Sequence, residues 1–476
     1  MSVGKINITQ TLAQVEDLLL QDRSISPAVR AMFQLLMTII HLLSAKLGLN
    51  SSNSSVPPSQ DPHRKRGSKG KGKGNGRKPG GQNGHRGTTL QPVAEPDKIE
   101  PIGIDRRTLP PGDYTDAGYE ARQVIEIVIT QYVIEYRAQV LEDAWGCRFV
   151  AEFPAGVTRP VQYGNSVKAQ SVYHSQQQLI PYDRICDYFW DQCGVPISAG
   201  SIFNFNREAF ILLEPFEAFV VRQLIQQLLL HADETGIHIA KQLYWLHVVC
   251  NERWTLFFPH PKRGLEAMKA MAVLEHFRGI LCHDHFDPYF LFDCQHVLCN
   301  GHHLRELQRA WEQDGQRWAR NMQQLLLDIN RRTSDAGGCL DNLTAKQYRA
   351  RYRTILTRGD TECPFVLPAG HSGNGRRPAQ TKSRNLLERL RDFETETLRF
   401  MTDPLAPFTN NQGENDLRMT KVQQKISGCF RSFEGAQIFC RNRSYISTCA
   451  KHGIQPTEAL QSLFDGRLHE ILARLE

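Results

Sequence analysis

Residues 228–240 read LLLHADETGIHIA, and the alternation in this run decides the fold. Leu230, Ala232 and Glu234 fall on one side of an extended chain, with His231, Asp233 and Thr235 on the other. A period of two is the mark of a half-buried strand. YWLHVVC (244–250) and WTLFF (254–258) read as two further strands, and residues 264–277 as a helix with Leu265, Met268, Met271 and Leu274 on one face. GILC (279–282) is a fourth strand running into Asp284, HVLC (296–299) a fifth, and a helix is predicted from His302 through Trp318.

Three strands, a helix and a strand ending in an acid is the order of a ribonuclease H-like core, in which the first and fourth strands lie side by side. That adjacency brings Asp233 and Asp284 together across 51 residues. Asp287 and Asp293 are nearby alternatives, but Asp284 directly ends the apolar strand. Between 300 and about 400 the chain is helix-rich, as in RWARNMQQLLLDINRR and SRNLLERLRDFETETLRF, and reads as an inserted helical subdomain. A third acid, Glu414, stands beyond it in FTNNQGENDLRMTKVQQK, where Asn410 or Asn411 caps the next helix and an acid in the first turn suits the helix dipole. Arg418, Lys421 and Lys425 follow at four, seven and eleven residues, on one face with Glu414. Such a stripe suits the phosphates of a nucleic-acid strand, or merely a solvated helix face with one Glu–Arg pair worth about 0.2–0.5 kcal/mol.

Carboxylates fixed on rigid elements suit hard cations. Two such ions roughly 3.5–4 Å apart activate water and stabilise the leaving oxygen of a phosphodiester. The stretch CHDHFDPYFLFDCQHVLCNGHH also holds Cys282, His283, His285, Cys294, His296, Cys299, His302 and His303. Without paired CxxC knuckles these read as packing and hydrogen-bonding residues, with zinc the lesser alternative. No GxxxxGK[ST] loop occurs, so the chemistry is not expected to consume a nucleoside triphosphate.

With 476 residues and 41% hydrophobic composition the chain has enough apolar surface for several domains. Its net charge is +7, and Arg64, Lys65, Arg66, Lys69, Lys71, Lys73, Arg77, Lys78 and Arg86 supply nine positive charges; without those nine the remainder carries −2. The basic character is a local arm suited to nonspecific phosphate contact. The twelve scattered cysteines suggest reduced thiols, and the absence of a secretory leader a cytoplasmic, nucleoid-associated protein. The apolar stretch from Leu35 to Leu43 is too short to cross a bilayer.

The expected organisation is multidomain α/β (α+β). Residues 1–49 form an N-terminal helical region, split near Ser26-Pro27, with a seam of Val29, Met32, Leu36, Ile39 and Leu43 that fits a coiled coil or a hairpin. Residues 50–94 form a disordered basic linker. Residues 95–160 form a small strand-rich unit around RQVIEIVITQYVIEYRAQVL, and 161–225 a helix-turn-helix-like DNA-binding region turning at Gly194, with Ser198 opening the second helix and Ile202 and Phe205 inward. The core occupies 226–300, the helical insertion 301–405, and core C-terminal helices 406–476.

Four blocks carry a resemblance: RKPGGQNGHRGTTL, HADETG, LCNGHHLREL, and NNQGENDLRMTKVQQKISGCFRSFEGAQIFCRNRSYISTCAKHGI. On them the chain resembles bacterial transposases of the insertion sequence sixty-six family over nearly its full length. The resemblance implies DDE chemistry with Asp233, Asp284 and Glu414 as both catalytic and metal-binding triad, and two Mg²⁺ ions with Mn²⁺ as a substitute. Cys299-x-x-His302 is similar to a C/D-x-x-H signature after the second acid in several transposase groups. Many members carry a zinc ribbon after the basic arm, whereas the matching region here holds only Cys147, so that module is expected to be degenerate. The expected function is metal-dependent cleavage and strand transfer at the ends of an insertion sequence. Double-stranded DNA is the expected partner, along with a homo-oligomer on DNA and accessory proteins of the same element. A ribonuclease H-like nuclease without strand transfer and an inactive DNA-binding protein are the alternatives.

Overall fold

The computed structural model describes residues 2–3, 6–22, 25–47, 50, 53–54, 90–365 and 380–476. The basic arm, Arg64 to Arg86, and most of the 50–94 linker lie outside the described residues. After two short paired strands, β1 (Ser2–Val3) and β2 (Ile6–Asn7), come the two N-terminal helices α1 (Ile8–Gln21) and α2 (Pro27–Leu47). Val29, Met32, Leu36, Ile39 and Leu43 are all exposed on α2.

The alternating run 122–141 does not form the expected strand-rich unit. Only Val140–Glu142 (β3) pairs, antiparallel to Arg148–Val150 (β4), and residues 118–139 contain no strand. Val124, Ile127 and Tyr132 are each more than 80% exposed. Alternation prepares a chain to be a strand, but a strand also needs an edge to pair with, and among the described residues this run has only the three residues of β4.

Four helices follow: α3 (Asn165–Val172), α4 (Tyr182–Cys193), α5 (Ala199–Leu212) and α6 (Glu214–Ile225). The turn after α4 falls at Gly194, whose φ of 65° favours glycine, and the Ser198 hydroxyl caps α5 by accepting the Ser201 N–H. Ile202, Phe205 and Ala209 point inward.

The central sheet has five strands: β5 (Leu229–Ile239), β6 (Gln242–Cys250), β7 (Thr255–His260), β8 (Ile280–His283) and β9 (Gln295–Leu298). Their order is β7-β6-β5-β8-β9; β5, β6 and β7 are antiparallel neighbours, and β5, β8 and β9 run parallel. Between β7 and β8, helix α7 covers only Leu265–Ala270, shorter than the 264–277 expected. Ala272 takes a left-handed φ of 56°, which ends the helix, although Val273, Leu274 and Phe277 remain buried.

Beyond β9 the helix expected to run through Trp318 breaks. α8 (Asn300–Asp314) stops at Gly315, φ 67°, and α9 (Arg317–Asp335) begins anew. α10 (Asn342–Glu362), α11 (Lys382–Asp392) and α12 (Glu394–Leu398) complete the helical stretch before α13 (Asn411–Ser427), α14 (Phe433–Lys451), α15 (Pro456–Phe464) and α16 (Leu468–Leu475).

Both faces of the sheet are covered. Leu230, Ala232 and Leu281 join a core with α3, α5, α6, α14, α15 and α16. On the opposite face Ile280, Cys282 and Val297 pack against the α8–α12 helices, and Ile237, Ile239 and Leu246 against α13 and α14. The edge strand β7 is protected by α14: the Thr255 and Phe257 N–H groups donate to the hydroxyls of Thr448 (3.2 Å) and Ser444 (2.9 Å). Among the described residues no helix is long and apolar enough to cross a membrane.

Gly279 sets the β5–β8 pairing, because a Cβ there would lie 2.5 Å from the Leu228 carbonyl, 2.9 Å from that of Gln227 and 2.7 Å from the Phe277 ring. Backbone oxygens cannot yield as a flexible side chain can. Gly279→Ala is therefore expected to lower stability by about 1–3 kcal/mol in denaturant unfolding, the usual cost of overpacking. A variant unfolding together with wild type would contradict this account of the strand junction.

Candidate functional site

β5 pairs with β8 through Leu229–Ile280, Leu230–Leu281 and His231–Cys282. Continued by two residues, that register sets Asp233 level with Asp284, and the pleat turns both toward the face covered by α13 and the α8–α12 helices. Helix α13 crosses closely at Gly413, where a Cβ would stand 3.4 Å from the Asp233 Cβ and 3.2 Å from the Asn410 amide. The first turn of α13 carries Glu414.

Asn410 fixes this crossing. It occupies the position before α13 but makes no side-chain cap, contrary to the capping role its sequence position suggests. Its Nδ2 donates to the Ala232 carbonyl (2.8 Å), which leaves Oδ1 to accept from His231 Nδ1 (2.8 Å), and its backbone N–H donates to Cys299 Sγ (3.1 Å). Buried amide groups need partners, and β5 offers better ones than the helix end.

Burial, then the Glu234, Asp284 and Glu414 carboxylates, raise Asp233 well above the usual carboxylate range; one oxygen accepts the Glu234 N–H at 2.8 Å. Burial also raises Asp284, against the Phe286 N–H it accepts at 3.0 Å and the field of Arg263. Neither aspartate forms an ion pair among the described residues. Two half-buried carboxylates in no ion pair offer hard oxygens that fit a divalent ion such as Mg²⁺, while the oxygens of Asp233, Asp284 and Glu414 do not all lie within 4.8 Å of one another.

The neighbouring acids are otherwise engaged. Glu234, on the other face of β5, accepts from Tyr289 (2.6 Å) and Arg263 (2.8 Å). Asp416 pairs with Lys451 (2.6 Å) and accepts from Thr255 (3.0 Å). Asp287 is exposed, and Asp293 is 94% exposed in a long pair with Arg278.

Of the cationic stripe, Arg418 and Lys425 are exposed, while the Lys421 ammonium donates to the Gly236 carbonyl (3.0 Å). The Cys/His cluster largely packs. His283 and His296 share a hydrogen bond (3.0 Å), His303 bonds Asn300 (3.1 Å), and Cys282 is buried. Cys299 and His302 differ, because their ligand atoms and a Glu414 oxygen all lie within 4.8 Å of one another. Arg305 was not apparent in the sequence as a site residue, yet its guanidinium stands 3.7 Å from Glu414. Its i+3 spacing from His302 in LCNGHHLREL was the available signal.

Compared with known families, residues 160–438 match the transposase IS66 family, more than half of the chain. The chain belongs to the IS66 transposase family. Membership implies a function in transposition, and with it DNA binding and nucleic-acid processing. Residues 5–91 match a family of unknown function, DUF6444. No curated protein matches. Among solved structures, a chain of the cryoEM structure of the simian T-cell lymphotropic virus intasome in complex with PP2A regulatory subunit B56 gamma is 16% identical. The match covers 33% of this chain and 58% of that chain with a TM-score of 0.14, too low to carry an argument.

The raised Asp233 makes a testable statement about the IS66-family fold. A carboxyl whose folded pKa exceeds its unfolded value, near 3.8, weakens the fold as pH rises between the two. In metal-free buffer at neutral pH, Asp233→Asn is expected to melt above wild type, and the gap to close as pH falls toward about 4. Equal melting temperatures across that range would show that Asp233 carries no burial strain.

Proposed function

We propose that this chain is a DDE transposase with a ribonuclease H-like core, which cuts the ends of an insertion sequence and joins them to target DNA. The observation that carries the reading is the placement of Asp233 on β5 and of Asp284 directly after the adjacent parallel β8, neither in an ion pair among the described residues, with Glu414 among the carboxylates that raise Asp233. The strand order, with the first and fourth strands of the sheet adjacent, supports the core assignment.

Asp233 and Asp284 would hold the divalent ions, Mg²⁺ with Mn²⁺ as a substitute, and Glu414 would complete the set. Ions bound there supply the charge neutralisation and water activation that phosphodiester chemistry needs at neutral pH. The chain's own residues do the rest. Gly413 lets α13 approach Asp233, and Asn410 fixes the height of Glu414 over the sheet. Arg418 and Lys425 face solvent along the helix that carries Glu414, where they bind phosphates of the scissile strand. Lys421, tied to Gly236, braces α13 against β5 and adds positive charge beside Asp233. The arm from Arg64 to Arg86 adds sequence-independent, salt-sensitive affinity, and the α4–α5 corner is a second DNA contact. Two protomers meeting on DNA, with accessory proteins of the same element, complete the proposed assembly.

The test uses labelled duplex carrying the element's own ends, with Mg²⁺ or Mn²⁺. Joined product from wild type is expected to disappear in Asp233→Asn, Asp284→Asn and Glu414→Gln, while DNA binding persists. Cleavage without joining would replace this reading with a simple nuclease, and binding without chemistry under either ion with an inactive DNA-binding protein.

A further inference from the structure

Glu414 faces two ways. Toward the sheet it meets the field of Asp233; toward the start of α8 it meets a thiol and an imidazole. We propose that Cys299, His302 and one Glu414 oxygen form a zinc site distinct from the Mg²⁺ positions, leaving the other Glu414 oxygen to the cleavage centre. The inference deepens the proposed function and rests on its assignment of Glu414.

Donor chemistry comes first. A thiolate, an imidazole and a carboxylate are the three ligand types zinc takes, whereas Mg²⁺ rarely accepts sulfur or imidazole. Geometry follows. A tetrahedral zinc with bonds of about 2.0–2.3 Å sets its ligand atoms roughly 3.4–3.8 Å apart. Here all three lie within 4.8 Å, and His302 Nδ1 stands 3.9 Å from Glu414 Oε1, so closure needs side-chain shifts of about 1 Å rather than any backbone rearrangement.

Two further observations point to a ligand. His302 Nδ1 is buried without a hydrogen-bond partner, an arrangement that costs stability unless something binds it. Cys299 Sγ already accepts the Asn410 N–H at 3.1 Å, and its backbone N–H donates to the His283 carbonyl at 2.9 Å, so the sulfur is held in place by outer-shell bonds of the kind that orient metal ligands. Arg305, 3.7 Å from Glu414, provides the positive charge that faces the carboxylate when no ion is bound. Three protein ligands leave a fourth position open, as in a reactive rather than a purely structural zinc site. Bound there, zinc ties the start of α8 to the first turn of α13.

The test uses the full-length chain with zinc or cobalt alone, without DNA. One zinc per chain is expected, and cobalt substitution should give the thiolate-to-cobalt charge-transfer band in the near ultraviolet. Cys299→Ser keeps an acceptor for the Asn410 N–H while removing the thiolate, and His302→Gln removes the imidazole. Each is expected to weaken zinc by at least about 10–100-fold, the cost of losing even an outer-shell partner, with an unchanged circular dichroism spectrum. Asp233→Asn and Asp284→Asn should retain the zinc. No bound zinc in wild type, a cobalt spectrum without the thiolate band, or zinc lost in the aspartate variants and retained in Cys299→Ser would overturn the proposal. A chain that binds zinc here yet neither cuts nor joins DNA would sink the transposase chemistry and leave this site standing.

Discussion

Asp233 on β5 and Asp284 just past the end of β8 stand at the same level, half-buried and in no ion pair among the described residues, and the surrounding structure is arranged around that repulsion. Left to themselves, desolvated carboxylates would separate or take up protons. Asp233 is fixed within β5 by its pairing with Val248 of β6, and Asp284 directly follows β8, whose ladder with β5 runs to His231–Cys282, so the two cannot move far apart without disturbing the sheet. Gly279 keeps the strand entry tight, and cores on both faces of the sheet stop the strands from sliding. On the proposed reading, energy put into holding like charges together would be recovered on binding a divalent ion, so an arrangement that weakens the bare fold would favour the loaded one.

Asn410 links this pair to the third acid. A single buried amide bonds the Ala232 carbonyl and His231 on β5, while its backbone bonds Cys299 at the start of α8. Three elements far apart in sequence therefore share one register. Glu414 lies four residues beyond that hub, so its distance from the sheet follows from Asn410 and from the missing Cβ of Gly413. The α8–α12 helices are also built into the site, since α8 contributes Cys299 at its cap, His302 and Arg305.

Much of this was legible in the residues. The period of two in LLLHADETGIHIA located β5 and the side on which Asp233 lies, and the short apolar run before Asp284 located β8. Glu414 was legible from a helix start. What escaped depended on partners that a linear pattern does not contain. Residues 122–141 alternate as a strand does, yet only two of them, Val140 and Leu141, find an edge. Helix α7 ends early, just before Ala272 adopts a left-handed conformation, which no residue preference announces. The break at Gly315 did have a signal, since glycine commonly follows a helix end, but the apolar spacing on both sides of it hid the stop. Asn410 looked like a cap, and tertiary contacts claimed its side chain instead.

The central claim is that Asp233 and Asp284 together bind the ion on which phosphodiester chemistry depends. Crystals of the chain soaked in Mn²⁺ and measured at the manganese absorption edge test it directly. The account predicts an anomalous peak bonded to oxygens of both aspartates, absent from Asp233→Asn crystals. Manganese bound only elsewhere, or a well-ordered site with no peak between the two carboxylates, would contradict it.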